Sequence, residues 1–386
     1  MARELAFVMI NPHTISKSRT GGVIARYLAR TDLNLVSARM MNPPQELVDR
    51  YAAQVREETD GSERINGLIA DYITKAYAPN AITGLAHRVM LLLFEGEDAV
   101  EKIWQVTGGV TLRQDCGETV RETFGEFVED ADGMVLYFEP AVLVGPTVER
   151  AQRTLRLWSE YTEAYGGIVN SSSPYPEGAV QRTLVLLKPD NFRGPSLRAG
   201  SIIDVLSTTS LRIVGAKKFR MTVAQAEQFY GPVVDSLSSK FVMIGSERAA
   251  KKLTEEFAFA VTAEDTTALC EQLGFRFATE QFESIVEFMT GYRPADVLEA
   301  DKATAAREEC LALVYMGVDA VEKIRDILGS TDPSKAKFGS VRREFGSNIM
   351  VNSAHASDSP ENAEREFGII NVEEDTTGAW INQYCR

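Results

Sequence analysis

The hexapeptide DAVEKI occurs twice, at residues 98–103 and 319–324, and the sequence around each occurrence matches as well. HRVMLLLFEGEDAVEKIWQVTGG in the first half answers to ECLALVYMGVDAVEKIRDILGST in the second. The correspondence extends upstream. LAFVMINPH and the following TGGVIARYLARTDLNLVSARMM correspond to TLVLLKPD and RAGSIIDVLSTTSLRIVGAKKF, and each reads strand, loop, helix, strand. The runs LAFVMI and TLVLL suit buried strands. Val23, Ile24, Tyr27 and Leu28, like Ile202, Ile203, Val205 and Leu206, recur at helical spacing, and Gly22 and Gly200 open these helices. A second helix follows in each half, PPQELVDRYAAQV and TVAQAEQFYGPVV, with Tyr51 opposite Tyr230. Further on, GETVRETFGEF pairs with GSVRREFGSNI. A unit of this length present twice means two copies of one domain.

The Ser/Pro/Gly-rich stretch NSSSPYPEG, Asn170 to Gly178, has the composition of an exposed linker and divides the copies into residues 1–170 and 179–386. The second copy holds an extra segment, about Met243 to Glu308, whose runs SERAAKKLTEEFAFA and TEQFESIVEFMTGY are helix-like. It reads as a helical insertion on the surface, or as a lid or assembly contact. Repeated βαβ units with antiparallel elements predict an α+β fold class: two tandem ferredoxin-like α/β sandwiches with antiparallel sheets and a helical insertion in the second.

Composition bounds the function classes. The chain has 386 residues, 44% of them hydrophobic and 25% charged, enough for a large core. Its formal net charge of −14 repels nucleic-acid phosphates and disfavours broad nucleic-acid binding. The N-terminus lacks a long apolar run with a small-residue cleavage site, and no stretch approaches the roughly 18 apolar residues a spanning helix needs, so secretion and membrane insertion are not expected. The four cysteines, Cys116, Cys270, Cys310 and Cys385, are widely separated. Neither a zinc site nor a disulfide framework is indicated, and a cytoplasmic location is expected.

From Arg325 to Glu366 the chain concentrates groups that phosphoryl transfer needs: Arg325, Thr331, Arg342, Asn352, His355, Ser357, Asp358 and Glu366. Negative charge on a transferring phosphoryl group calls for cations and fixed donors, and the planar fork of arginine offers two hydrogen bonds at once. A neutral imidazole is a competent nucleophile near pH 7 when a carboxylate or carbonyl holds its other nitrogen. His13, His87 and His355 are the chain's three histidines. His355 lies in NSAHASDSPENAEREF, where SDSPE marks a helix start. Taken alone it would read as a loop histidine beside a helix cap. His13 and His87 read as partly exposed loop residues.

RTLVLLKPD, the span from Arg325 to Arg342, and NSAHASDSPENAERE together resemble the nucleoside diphosphate kinase family. The family's Arg-x5-Thr-x10-Arg-x9-Asn-x2-His-x10-Glu spacing is met without a gap by Arg325, Thr331, Arg342, Asn352, His355 and Glu366. The resemblance implies a kinase that moves the terminal phosphate of ATP or another nucleoside triphosphate to a diphosphate by a ping-pong route through phosphorylated His355. It further implies that Lys188 and Asn352 contact the nucleotide and that Arg325, Thr331 and Arg342 grip its phosphates. By the same resemblance Tyr230 helps position Lys188 or His355, Ser357 hydrogen-bonds Glu366, and Glu366 orients the imidazole. Mg²⁺ is expected to be held through the nucleotide phosphates, without a protein metal cage. Ala356 stands where the family has glycine, and Ser238, with Phe241 nearby, stands where it has the aromatic that stacks on the base.

In the first copy Asn11 aligns with Lys188, Trp104 with Arg325, about Val110 with Thr331 and about Leu143 with His355, while Arg121 still matches Arg342. No phosphotransfer is expected there. Family domains associate as dimers and hexamers, so the resemblance implies a homo-oligomer, in which three fused chains would mimic a hexamer. A monomeric tandem protein is the alternative. A nucleotide-binding scaffold or sensor, impaired by Ala356 or by the extra segment, is the alternative to the enzyme.

Overall fold

The computed structural model describes residues 3–59, 62–111, 117–170 and 180–385, so most of the linker stretch and Cys116 lie outside the described residues. The first copy runs β1 (Arg3–Ile10), α1 (Pro12–Ser16), α2 (Thr20–Arg30), β2 (Asn34–Met41), α3 (Gln45–Arg56), α4 (Glu63–Tyr77) and β3 (Val89–Glu97). It continues through α5 (Ala99–Thr107), α6 (Val120–Phe124), β4 (Glu126–Glu129), β5 (Val135–Glu139), β6 (Val142–Leu143), α7 (Val148–Ser159) and α8 (Thr162–Tyr165). The second copy begins with β7 (Gln181–Leu187), α9 (Arg198–Ser207), β8 (Arg212–Arg220), α10 (Val223–Tyr230), α11 (Val233–Phe257) and α12 (Ala263–Thr290). It ends with β9 (Glu309–Gly317), α13 (Ala320–Leu328), α14 (Val341–Phe345), β10 (Ala354–Ala356), α15 (Pro360–Ile369) and α16 (Thr377–Tyr384).

One eight-stranded sheet, in the order β10-β7-β9-β8-β2-β3-β1-β6, carries both copies. Within each copy the first strand (β1 or β7) lies between the third (β3 or β9) and the copy's last strand (β6 or β10), with the second (β2 or β8) at the far side of the third; β4 and β5 form a separate two-stranded sheet. That is the ferredoxin-like order, and β1 with β3, β2 with β3 and β7 with β9 pair antiparallel. Both alternating sets of side chains in β3 are buried, from Val89 to Gly96, which is why the run reads as continuously apolar rather than alternating.

The copies join through their second strands, where Arg39 pairs with Lys217, and through α2 against α9. Gly21 and Gly200 meet there reciprocally. A Cβ on Gly21 would lie 2.4 Å from the carbonyl oxygen of Gly200, and one on Gly200 would lie 2.3 Å from that of Gly21. Helix α2 begins at Thr20, so Gly21 is the glycine of the close approach and not the Gly22 expected to open the helix. The reciprocity is that of an isologous dimer contained in one chain.

Two compact units result: residues 1–219 with 311–386, and residues 220–310. The stretch 170–179 falls within the residue span of the first unit. In the second unit, α11 runs unbroken from Val233, so the extra helical segment starts before the expected Met243. Helices α11 and α12 form a long hairpin whose inner faces carry small residues. Ser246, Ala250, Cys270, Gly274 and Ala278 are buried, whereas Met243, Phe257, Leu269 and Phe275 are exposed. Cys270, Cys310 and Cys385 are buried thiols. Among the described residues no helix is long and apolar enough to cross a membrane.

Candidate active site

His355 sits in β10, the short edge strand paired to β7, opposite Leu186. Residue 353 turns the chain into that strand. Ser353 is fully buried with φ at +71°, a left-handed conformation that a non-glycine residue adopts at a cost of roughly 1–2 kcal/mol. Its surroundings hold it there. The Ser353 carbonyl accepts from the Lys188 backbone N–H at 2.9 Å and from Asn191 Nδ2 at 2.7 Å. Its hydroxyl accepts from Arg198 Nη2 at 3.1 Å, and the same nitrogen donates to Asp190 Oδ2 at 3.1 Å and to the Phe345 carbonyl at 2.7 Å. Asn191, Arg198 and Ser353 were not singled out in the sequence, and Asp190 entered only as the last residue of the KPD segment. The aspartate of the KPD segment was the available signal, since it anchors this arginine.

The imidazole of His355 is about one quarter exposed, and its Nε2 lies 3.0 Å from Oε1 of the buried Glu366 on α15. The other carboxylate oxygen of Glu366 accepts from Ser357 Oγ at 2.6 Å, and Ser357 is tied to β7 through Leu184. Helix α15 starts where the sequence indicates: Ser359 accepts from the Asn362 N–H, and Pro360 occupies the first turn. Because a carboxylate only accepts, Nε2 donates to Glu366 and the imidazole lone pair resides on Nδ1.

Lys188 directly follows β7, and its Nζ donates to Asn352 Oδ1 at 2.7 Å and to the Met350 carbonyl at 3.4 Å. Asn352 in turn donates from Nδ2 to the Ile349 carbonyl at 2.8 Å and to the Thr331 carbonyl at 3.2 Å. Lys188, Asn352 and Thr331 are thus linked in one cluster, joined to His355 through the buried stretch 352–354. Arg342 Nη2 donates to the Ala354 carbonyl at 3.0 Å and Nη1 to the Gly329 carbonyl at 2.9 Å, which fixes the residue next to His355. Arg325 is exposed on α13, a helix that packs on β7 and β10. Tyr230 belongs to the second unit, on α10, where its ring packs on Phe229 with centroids 4.9 Å apart.

The first copy keeps this scaffold with other side chains on it. Ala141 takes the place of Ser353, with φ at +59° and its carbonyl accepting from the Asn11 N–H at 3.1 Å. Leu143 then occupies the position that His355 takes in the second copy. Arg121 donates to the Gly108 and Val142 carbonyls at 2.8 and 3.3 Å, the contacts Arg342 makes to Gly329 and Ala354, so this carbonyl-holding role belongs to the fold. Trp104, standing where Arg325 does in the other copy, lies 5.7 Å from the Arg121 guanidinium, and burial pushes Arg121 down to about 10. Tyr77 donates to Asn11 Oδ1 at 2.6 Å, and Tyr51 and Tyr77 pack edge-on against Trp158. Aromatic side chains from α3, α4 and α7 therefore fill the space beside Asn11. His13 is placed on the short helix α1 rather than in a loop, 3.3 Å from the Tyr72 hydroxyl.

The family model for nucleoside diphosphate kinase matches residues 275–375, which takes in the second half of α12, a stretch that the sequence reading placed in the extra segment. A nucleoside diphosphate kinase of Azorhizobium caulinodans is 31% identical over 186 residues, covering 48% of this chain and 89% of that protein. One of Hyphomonas neptunium is 30% identical over 200 residues, covering 52% and 99%. Among solved structures, an NDP kinase from Pyrobaculum aerophilum is 25% identical with a TM-score of 0.35, covering 49% of this chain and 94% of that one. Because the chain covers 89% and 99% of the Azorhizobium and Hyphomonas kinases at 31% and 30% identity, it belongs to the nucleoside diphosphate kinase family and is a phosphotransferase.

Proposed function

We propose that the second copy transfers the terminal phosphate of a nucleoside triphosphate to a nucleoside diphosphate in two half-reactions, with His355 Nδ1 as the carrier. The observation that carries this reading is the hydrogen bond from His355 Nε2 to Glu366, with Glu366 itself fixed by Ser357. The Nδ1 lone pair attacks the terminal phosphorus, the bond from that phosphorus to the bridging oxygen breaks, and the diphosphate leaves with the bonding pair. Positive charge developing on the imidazole is met by Glu366 through the Nε2–H, with no proton transfer required. A second diphosphate then attacks the phosphohistidine by the reverse step.

Lys188 and Asn352 contact the nucleotide in this reading, Arg325, Thr331 and Arg342 receive its phosphates, and Tyr230 positions Lys188 or His355. These groups are cationic or neutral donors and suit phosphate oxygens rather than a cation. Mg²⁺ would therefore come with the nucleotide and supply charge neutralisation on its phosphates. The first copy acts as the fixed half of a built-in pair. Three chains of 42.6 kDa would assemble six such folds, which light scattering would read as three chain masses.

The test is incubation with γ-labelled ATP and Mg²⁺ and mapping of the label under alkaline conditions. Label is expected on His355, removed by added GDP and absent from His355→Ala. Nucleotide binding without label would replace the enzyme with a nucleotide-responsive scaffold.

A further inference from the structure

Three stretches of chain supply groups gathered around His355: the one that follows β7, with Lys188; helix α14, with Arg342; and the turn into β10, with Asn352 and His355 itself. One nitrogen touches all three. Arg198, the first residue of α9, donates from Nη2 to Asp190 Oδ2 two residues after Lys188, to the Phe345 carbonyl three residues after Arg342, and to Ser353 Oγ two residues before His355, at 3.1, 2.7 and 3.1 Å. The Ser353 hydroxyl closes a triangle by donating to Asp190 Oδ2 at 3.5 Å. The Asp190 side chain is 7% exposed and Ser353 is fully buried, so these charge-assisted bonds are shielded from water.

The first copy holds an internal control. Arg19 stands where Arg198 does, two residues before the reciprocal glycine, and its Nη1 donates to the Phe124 carbonyl at 2.8 Å, as Arg198 does to that of Phe345. Its further partner is Glu126 of β4, at 3.3 Å. The turn carbonyl is held alike in both copies. Ala141 receives the Asn11 N–H and the Thr14 hydroxyl, and Ser353 receives the Lys188 N–H and the Asn191 amide. Both turns take the left-handed angle, so the fold builds this turn with the arginine-to-helix bond and two donors on the carbonyl. The other two corners are what the first copy lacks: His13 stands in place of Asp190 and Ala141 in place of Ser353. The Asp190–Arg198–Ser353 triangle is therefore additional to the turn, and it occurs in the copy that carries His355.

We infer that Arg198, acting with Asp190 and Ser353, is a positioning residue for the reaction: it locks the turn that carries Asn352 and His355 to the Lys188 and Arg342 stretches, so that the nucleophile keeps one distance from the bound phosphates. The inference rests on the phosphotransfer reading proposed above. Its effect is one of orientation. A nucleophile displaced from the line of attack loses rate while the groups that bind the nucleotide remain, so the triangle acts on turnover rather than on nucleotide affinity.

The experiment measures turnover with ATP and GDP, single-turnover labelling of His355 from γ-labelled ATP, and urea unfolding, for the full chain as wild type, Ser353→Ala, Arg198→Lys and the double variant. Ser353→Ala reproduces the first copy's turn, so the unfolding midpoint should hold while kcat and the labelling rate fall roughly tenfold and KM for ATP stays within about twofold. Arg198→Lys keeps a charge beside Asp190 and loses the planar fork, and its kcat should fall in the same way. The double variant is expected to lose no more than the worse single variant, because both substitutions break the same bond. Wild-type turnover in Ser353→Ala, a rate loss that follows a lowered unfolding midpoint, or losses that multiply in the double variant would overturn the inference and leave the phosphotransfer reading standing. A wild type that takes no label on His355 would overturn both.

Discussion

Glu366 has two oxygens and two partners, and this division decides what its loss would do. One oxygen receives the His355 Nε2–H and the other the Ser357 hydroxyl, so the carboxylate is held at both ends while buried. Glu366→Gln keeps the shape and removes the charge that, in the proposed mechanism, meets the forming imidazolium. Turnover is expected to fall by on the order of 10²-fold with KM nearly unchanged, because the loss is felt mainly in the transition state. Steady-state kinetics with ATP and a second diphosphate would read this, and an unchanged kcat would mean that Glu366 merely packs. These two residues were legible in sequence, since their spacing from His355 carries them. The support behind them was not. Ser353 and Arg198 contribute a strained backbone angle and a three-way hydrogen bond, neither of which leaves a mark in residue type.

At the scale of elements, strands and paired helices were readable because buried strands need continuous apolar runs and helices need apolar spacing. Helices α11 and α12 show where that reasoning fails. Their mutual face is built largely from Ser246, Ala250, Cys270, Gly274 and Ala278, with Phe241 stacked on Phe277 at 4.4 Å, while Met243, Phe257, Leu269 and Phe275 are exposed, so no continuous stripe of large residues marks the contact. Helix α4 escaped for another reason: Tyr72 and Tyr77 fill space in a copy whose counterpart keeps a polar cluster, and repeat alignment offers no partner for them. The α2–α9 contact yields a direct prediction. Gly200→Ala sets a methyl 2.4 Å from the Ala25 nitrogen and 2.3 Å from the Gly21 carbonyl oxygen, both backbone atoms that cannot rotate away. Unfolding free energy in urea is expected to drop by ~2 kcal/mol or more, whereas Gly194→Ala, with open space around it, should change little.

Across the whole molecule, the first copy is physically tied to the segment that follows α15. Arg39 of β2 is 3% exposed and donates to the Thr162, Glu373 and Glu374 carbonyls at 2.9, 3.1 and 2.8 Å. Lys217 of β8, which pairs with Arg39, caps the end of α15 within the second copy, donating to the Asn371 carbonyl at 2.7 Å and the Ile370 carbonyl at 3.1 Å. Arg39→Met would leave three carbonyls and Asp375 without this donor, and a loss of roughly 3 kcal/mol in unfolding free energy is expected, measured by urea titration. The same ties imply that residues 180–386 cannot stand alone. Separated from the first copy, they would expose the β8 edge, the Gly200 face of α9 and the side of α16 that packs on β2 and α7. An unpaired strand edge beside an apolar face seeks a partner, and a second copy of the fragment offers the same reciprocal surface. Size-exclusion chromatography with light scattering should therefore find the fragment as a dimer or larger, and a stable monomer with full turnover would show that the first copy is dispensable to the second.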